Sequence, residues 1–155
     1  MKIKTLVRVA LIAAVYVTVT SLPFIHTLSY GPVQVRIAEA LTLLPIIYPE
    51  AILGLFFGCL LANILGPWGL VDIIGGSLVT LLAAFITYRF RNSIIAYLSP
   101  ILANAFLVSL YLYIFFRVPY LPTVITIGLG QTIAVLGLGY PLLRYLKKAD
   151  TQQQK

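Results

Sequence analysis

The sequence predicts an all-α membrane protein, a single bundle of six transmembrane helices with both termini in the cytoplasm. Three observations predict it. Hydrophobic residues make up 61% of the 155 positions and charged residues only 10%, against about 25% charged in a soluble domain. Uncharged runs cover residues 9–35, 51–71, 92–116 and 118–143, each matching the roughly 20 apolar residues that a spanning helix needs. Finally, the Lys and Arg residues fall almost entirely on one side once the helices are drawn.

The first helix covers about residues 5–22 and ends at Pro23, which cannot continue a helix. Its start imitates a signal peptide, with Lys2 and Lys4, an apolar run and then Thr18-Val-Thr20-Ser21. Cleavage is not expected, because the later helices need this one for packing and orientation. A long loop, residues 23–34, carries His26, Tyr30, Gly31 and Pro32. The second helix covers about 35–48 and stops at Pro49; the third covers about 50–65. Both are short, so one is expected to be tilted, kinked or partly buried in the bundle. Gly66-Pro67-Trp68-Gly69 reads as a turn. The fourth helix, about 71–90, contains the uncharged run 73–88 between Asp72 and Arg89. The fifth covers about 94–116 and the sixth about 122–148. Residues 1–149 thus form one membrane domain, and 150–155 a polar tail expected to be disordered.

Cytoplasmic loops collect Lys and Arg. With both termini inside, nine of the 11 cations lie inside (Lys2, Lys4, Arg8, Arg89, Arg91, Arg144, Lys147, Lys148, Lys155), and only Arg36 and Arg117 lie outside. The net charge of +7 therefore reports topology and contact with anionic lipid, and nucleic acid is not an expected partner. The chain has one Cys and one His, Cys59 and His26. Neither an intrachain disulfide nor a Cys/His metal site can be built from them, and no cofactor is expected. Nor do they supply a nucleophile with its base, so the sequence argues against an enzyme.

The polar residues at membrane depth carry the functional information. The stretch Gln34-Val-Arg36-Ile-Ala-Glu39-Ala-Leu-Thr-Leu-Leu-Pro45 sets a cation and a carboxylate three residues apart at the mouth of an apolar sequence. Charges in a membrane are expensive and face protein, water or ligand. Arg36, Glu39, Asn63, Trp68 and Asp72 fall on the outer half, with Asn104 and Gln131 deeper in the fifth and sixth helices. Each has a plain structural alternative. Asn63, Asn104 and Gln131 can act as hydrogen-bonded glue between helices, Asp72 as a helix N-cap, and Arg36 with Glu39 as an i,i+3 ion pair. Tyr30, Trp68 and Tyr120 lie at the outer loops, where they serve either an interfacial aromatic belt or as stacking surfaces for a flat ligand. Ala10 and Ala14 share a face of the first helix, and Gly54 and Gly58 a face of the third. Small residues at this spacing allow close helix approach, within the chain or to a partner.

Three blocks carry a resemblance to a known family: Ala10-Leu-Ile-Ala-Ala14, the Gln34 to Pro45 stretch, and Cys59-Leu-Leu-Ala-Asn63-Ile-Leu-Gly-Pro-Trp68-Gly-Leu-Val-Asp72-Ile-Ile-Gly-Gly-Ser77-Leu-Val-Thr-Leu-Leu-Ala-Ala84. The chain resembles, over nearly its whole length, the substrate-binding S components of energy-coupling factor (ECF) transporters, specifically the QueT-type family assigned to queuosine precursors. The resemblance implies a subunit in a prokaryotic plasma membrane that binds its substrate from outside. It would then dock, by the small-residue face of its first helix (Ala10, Ala14), on a membrane coupling subunit driven by two ATPases. Consistently, the chain has no Walker A glycine-lysine motif, so ATP hydrolysis must come in trans. A deazaguanine presents two adjacent N–H donors that one carboxylate can accept together. Glu39 and Asp72 are the available outer carboxylates. Asn63, Asn104 and Gln131 can complement the other polar atoms, Trp68 or Tyr30 can stack, and Arg36 balances charge. This composition permits that substrate without selecting it. Another small planar vitamin-like or nucleobase-like substrate fits the same residues. A non-transporting scaffold or channel subunit is the further alternative, and it would show no saturable ligand binding.

Overall fold

The computed structural model describes residues 3–22, 29 and 35–153. Six apolar helices, long or short, follow one another among the described residues: α1 (Ile3–Ser21), α2 (Ile37–Ile46), α3 (Ala51–Ile64), α4 (Gly69–Arg89), α5 (Ile95–Phe116) and α6 (120–153). No strand occurs among the described residues. Helices α1, α4, α5 and α6 are long and apolar enough to cross a membrane, whereas α2 and α3 are shorter apolar helices. Of the expected loop 23–34 only Ser29 is described, so His26 and Tyr30 lie outside the described residues.

The second helix departs from expectation. It is wound as a 3₁₀ helix of 10 residues with Pro45 inside it, a form that rises about 2 Å per residue and rarely runs so long. Two causes act together. Pro45 has no N–H for an α-helical bond and its ring collides with the preceding turn. Eight positions, Ala38 to Ala40 and Thr42 to Ile46, are buried, so packing on nearly every face outweighs intrinsic preference. The segment is the short, enclosed helix of the bundle, held among α1, α3, α4, α5 and α6.

Small residues let the neighbours close on it. A Cβ on Gly58 would lie 2.7 Å from the Tyr16 Cβ and 3.1 Å from the Ala13 Cα, and one on Gly54 would lie 2.9 Å from the Ile12 Cβ. The glycine face of α3 is therefore an internal contact with α1. A Cβ on Gly139 would stand 2.6 Å from the Ala40 carbonyl oxygen, which brings α6 against the backbone of α2. Ala10 and Ala14, by contrast, are exposed, while Ala13 is the alanine buried against α3.

Both long C-terminal helices contain a π-wound stretch, Asn104–Val108 in α5 and Ile133–Gly139 in α6. In α5 the irregularity follows Pro100. The N–H missing at Pro100 would have served the Ala96 carbonyl, four residues back. The Thr87 hydroxyl of α4 donates to that carbonyl instead, at 3.2 Å, and also bonds Ser99 Oγ at 2.9 Å. Helix α5 ends where Arg117 takes the left-handed conformation (φ 57°), and Pro119 precedes the first turn of α6.

Alternating helix direction gathers the cations. Among the described residues, Lys4, Arg8, Arg89, Arg91, Arg144, Lys147 and Lys148 lie at the end where α1 begins and α6 finishes, and Arg36 and Arg117 at the other. Three elements are tied together at the cationic end. Arg8 Nη1 donates to Glu50 Oε1 at 2.8 Å, its guanidinium sits 4.7 Å from the Tyr48 ring centroid, and Tyr48 donates to Asp150 Oδ2 at 2.8 Å. The bond from Arg8 holds the Glu50 carboxyl below the usual carboxylate range. Asp150, expected in a disordered tail, is helical, and the helix runs on to Gln153; its bond to Tyr48 gives the polar tail a partner that sequence pattern cannot anticipate.

The α1–α3 contact sets a stability test. Gly58→Ala should cost about 1–3 kcal/mol, since the added methyl meets Tyr16 and the backbone of Ala13. Gly137→Ala, where a Cβ meets nothing within 4 Å, should be neutral or slightly stabilising. Thermal unfolding of both variants in detergent checks the pair; equal midpoints would refute the close contact.

Candidate functional site

The site grows from the entry of α2. Arg36 is still extended (φ −88°, ψ 96°), and the Glu39 amide closes the first turn on its carbonyl at 3.0 Å. Three residues per turn place Arg36, Glu39 and Thr42 along one line of the helix. All three are buried, Glu39 completely at 0% exposure. Charged side chains this deep must be paired or hydrogen-bonded.

Their partners come from other helices. Arg36 Nη2 donates to Asp72 Oδ2 at 3.2 Å, and Asp72 Oδ1 accepts the Tyr111 hydroxyl of α5. Asn63 Nδ2 donates to the Asp72 carbonyl at 2.8 Å and approaches Cys59 Sγ at 3.5 Å, which Thr80 also reaches at 3.4 Å. Gly76 makes room for this knot, because a Cβ there would fall 2.7 Å from Asn63 Nδ2 and 2.9 Å from Asp72 Oδ1. The Glu39 Oε1 atom accepts the Tyr16 hydroxyl of α1, and the Arg36 charge and the Asn104 amide also act on this carboxyl group.

Two structural alternatives from the sequence are thereby decided. Asp72 does not cap α4: the N-cap position is Trp68, with no side-chain cap bond, and the Asp72 carboxylate turns inward to Arg36 and Tyr111. Arg36 makes its ion pair across the bundle with Asp72, while the Glu39 carboxylate meets the Tyr16 phenol. The fold thus joins Arg36, Asn63 and Asp72 in one buried polar network at the end opposite the cationic one, with Glu39 one turn from Arg36 and the buried Asn104 bonded within its own helix.

Trp68 and Gln131 join that network by no hydrogen bond among the described residues. Trp68 packs edge-on against Phe116, centroids 5.1 Å apart, beside the cluster of Val79, Val108, Leu112 and Ile127. Gln131 is buried in α6 just before its π stretch. Asn104 begins the π stretch of α5 and spends its amide N–H on the Pro100 carbonyl at 2.8 Å. Single π turns inside α-helices are frequent at functional sites.

Among the described residues several buried polar atoms have no hydrogen-bond partner, Glu39 Oε2, Trp68 Nε1, Gln131 Oε1 and Ser109 Oγ among them. Leaving such a group unsatisfied costs about 1–3 kcal/mol. Two acceptors and an indole donor in one half of the bundle suit a ligand that offers N–H groups and at least one acceptor. Sequence reasoning missed Tyr16 and Tyr111, the two phenols that hold the carboxylates. The available signal was that a buried phenol requires a partner and that only four carboxylates exist in the chain to provide one.

No solved structure matches this chain. The family model described as "QueT transporter" matches residues 6–148. The chain is also similar to the "Queuosine precursor transporter QueT" of Lactococcus lactis subsp. cremoris (strain MG1363), 38% identical over 77 residues. That match spans 49% of this chain and 44% of the relative, less than half of each. The family model, however, spans nearly the whole chain, and its six apolar helices agree with a multi-pass protein of a prokaryotic membrane: the chain belongs to the QueT transporter family.

Proposed function

We propose that this chain is the substrate-binding subunit of an ECF-type importer and captures a queuosine precursor, a neutral deazaguanine-like base, from outside the cell. The observation that carries this reading is the fully buried Glu39 carboxylate, whose Oε2 has no hydrogen-bond partner among the described residues. A carboxylate in a dry pocket accepts paired N–H donors strongly and penalises analogues that lack them. The relative from Lactococcus lactis, named for queuosine precursor transport, supports that substrate class. Arg36 and Asp72, paired to each other, would keep the site's charge balanced. Asn63, Asn104 and Gln131 would supply the remaining polar contacts, and Trp68 a ring surface.

The same reading has six transmembrane helices, with α2 and α3 completing the four long spans, and both termini in the cytoplasm. The gathering of cations at one end supports this orientation through the preference of Lys and Arg for the inner side. The site then opens outward. The exposed Ala10 and Ala14 face would be the surface that meets the coupling subunit, which in turn works with two ATPases. Tyr30, which lies outside the described residues, would contribute as well. In this scheme residues 1–149 are the S-component domain.

Three measurements test the proposal. Calorimetry with a deazaguanine derivative should show saturable binding to the wild type. Glu39→Gln replaces an acceptor with a donor, so affinity should fall about ten- to hundredfold, the loss of roughly 1.5–3 kcal/mol for a hydrogen bond to a charged group. Equal affinity would remove Glu39 from the site. For topology, Asn92→Cys in the α4–α5 turn should react with an impermeant thiol reagent only in opened cells, whereas Pro67→Cys at the opposite end should react in intact ones; the reverse pattern inverts the orientation. Ala14→Arg should abolish co-purification with the coupling subunit and uptake while leaving substrate binding intact, because bulk and charge prevent close helix approach. Normal co-purification of that variant would exclude the alanine face as the docking surface.

A further inference from the structure

A cluster of cations without ion-pair partners among the described residues lies at the other end of the molecule. A cavity of about 750 Å³ opens between the α4–α5 turn with the start of α5 and the second half of α6, lined among others by Arg91, Ile94, Tyr97, Leu98, Leu136 and Lys147. A smaller cavity of about 370 Å³ adjoins it and adds Arg89. Arg144 lies beside the rim, its guanidinium 5.8 Å from the Tyr140 ring centroid, and Arg91 stands 5.0 Å from that of Tyr88.

Among the described residues no acid answers these cations. The chain contains four Asp and Glu in all, and every one is engaged elsewhere: Glu39 with Tyr16, Asp72 with Arg36, Glu50 with Arg8 and Asp150 with Tyr48. Among the described residues, Arg89, Arg91, Arg144 and Lys147 make no ion pair. The described residues thus leave this charge open to a partner from outside the chain.

The rest of the cavity says what kind of molecule brings it. Below the cations the walls are apolar and turned outward, with Ile94 70% and Leu98 and Leu136 each 39% exposed. Tyr97 and Tyr140 meet edge to face at 5.9 Å, as aromatic residues do at headgroup level. A free anion would use only the cationic rim. A molecule with an anionic head and a hydrocarbon body would use both.

We propose that this groove is a binding site for one anionic phospholipid, with Arg91 and Lys147 on the phosphate and Ile94, Leu98 and Leu136 along an acyl chain. The lipid would seal the α5–α6 seam at this end and neutralise charge that the protein leaves open. Anionic headgroups are recognised by such basic pockets between transmembrane helices.

Native mass spectrometry of the detergent-purified protein, titrated with phosphatidylglycerol, phosphatidylcholine and inorganic phosphate, tests this. Phosphatidylglycerol should bind one per chain and about tenfold more tightly than phosphatidylcholine. The double variant Arg91→Gln/Lys147→Gln should lose most of that preference, and Leu98→Trp, which fills the groove without changing charge, should weaken binding as well. The control Lys4→Gln/Lys148→Gln removes the same charge at the same end outside the groove and should bind as the wild type does. Unfolding midpoints without lipid should match across all variants, since each substituted side chain is exposed. The proposal fails if both lipids bind equally, if the control loses as much as the groove variant, or if millimolar phosphate displaces the lipid. It also fails if the groove variant keeps lipid and instead no longer co-purifies with a protein partner.

Discussion

A carboxylate in hydrocarbon must be answered by other groups, and Glu39, fully buried in the bundle, sets that condition for the structure around it. Its helix is enclosed on nearly every face and is wound as 3₁₀, which stacks Arg36, Glu39 and Thr42 on one line. The phenol of Tyr16 reaches Glu39 because α1 lies against the glycines of α3 with no Cβ between them. Fold and site are here the same contact: a methyl group added at Gly58 presses on Tyr16, the residue that holds the carboxylate.

The second carboxylate shows the same economy. Asp72 stands in the first turn of α4, where the helix dipole already favours negative charge. It receives Arg36 from α2, Tyr111 from α5 and, through its carbonyl, Asn63 from α3. Four helices are thereby linked through one residue. A buried ion pair of this kind contributes little net stability, but it ties the entry of α2 to α4, while Glu39 Oε2 has no hydrogen-bond partner among the described residues. The interruptions in α5 and α6 fall beside Asn104 and Gln131. The helices that carry the deeper polar groups are thus the ones whose hydrogen-bond ladders are already irregular.

The two ends of the molecule divide their chemistry by exposure. At the end of Arg36 and Asp72 the charges are few and, apart from the exposed Arg117, buried. At the other end they are many, exposed and mostly of one sign. A pair exposed to solvent, such as Arg8 with Glu50, adds little to stability, yet with Tyr48 and Asp150 it ties the start of α1 to the α2–α3 connection and the end of α6.

The membrane class, the positions of six helices to within a few residues, and the identity of Arg36, Glu39, Asn63, Asp72 and Asn104 as buried polar groups were all determined by the sequence. Those properties follow from local terms: the absence of charge over a long run, Pro and Gly at its ends, and the cost of a polar side chain placed within it. The sequence could not decide who partners whom. Arg36 and Glu39 stand three apart and read as a pair, but the distances across the bundle join Arg36 to Asp72 and Glu39 to Tyr16. Nothing local distinguishes Tyr16 or Tyr111 from an aromatic residue of the membrane interface. The 3₁₀ winding of α2, the inward turn of Asp72 and the helical course of Asp150 were likewise decided by tertiary structure. Each depends on which surfaces the other helices present, and a residue's neighbours across a bundle are set by packing rather than by its place in the chain.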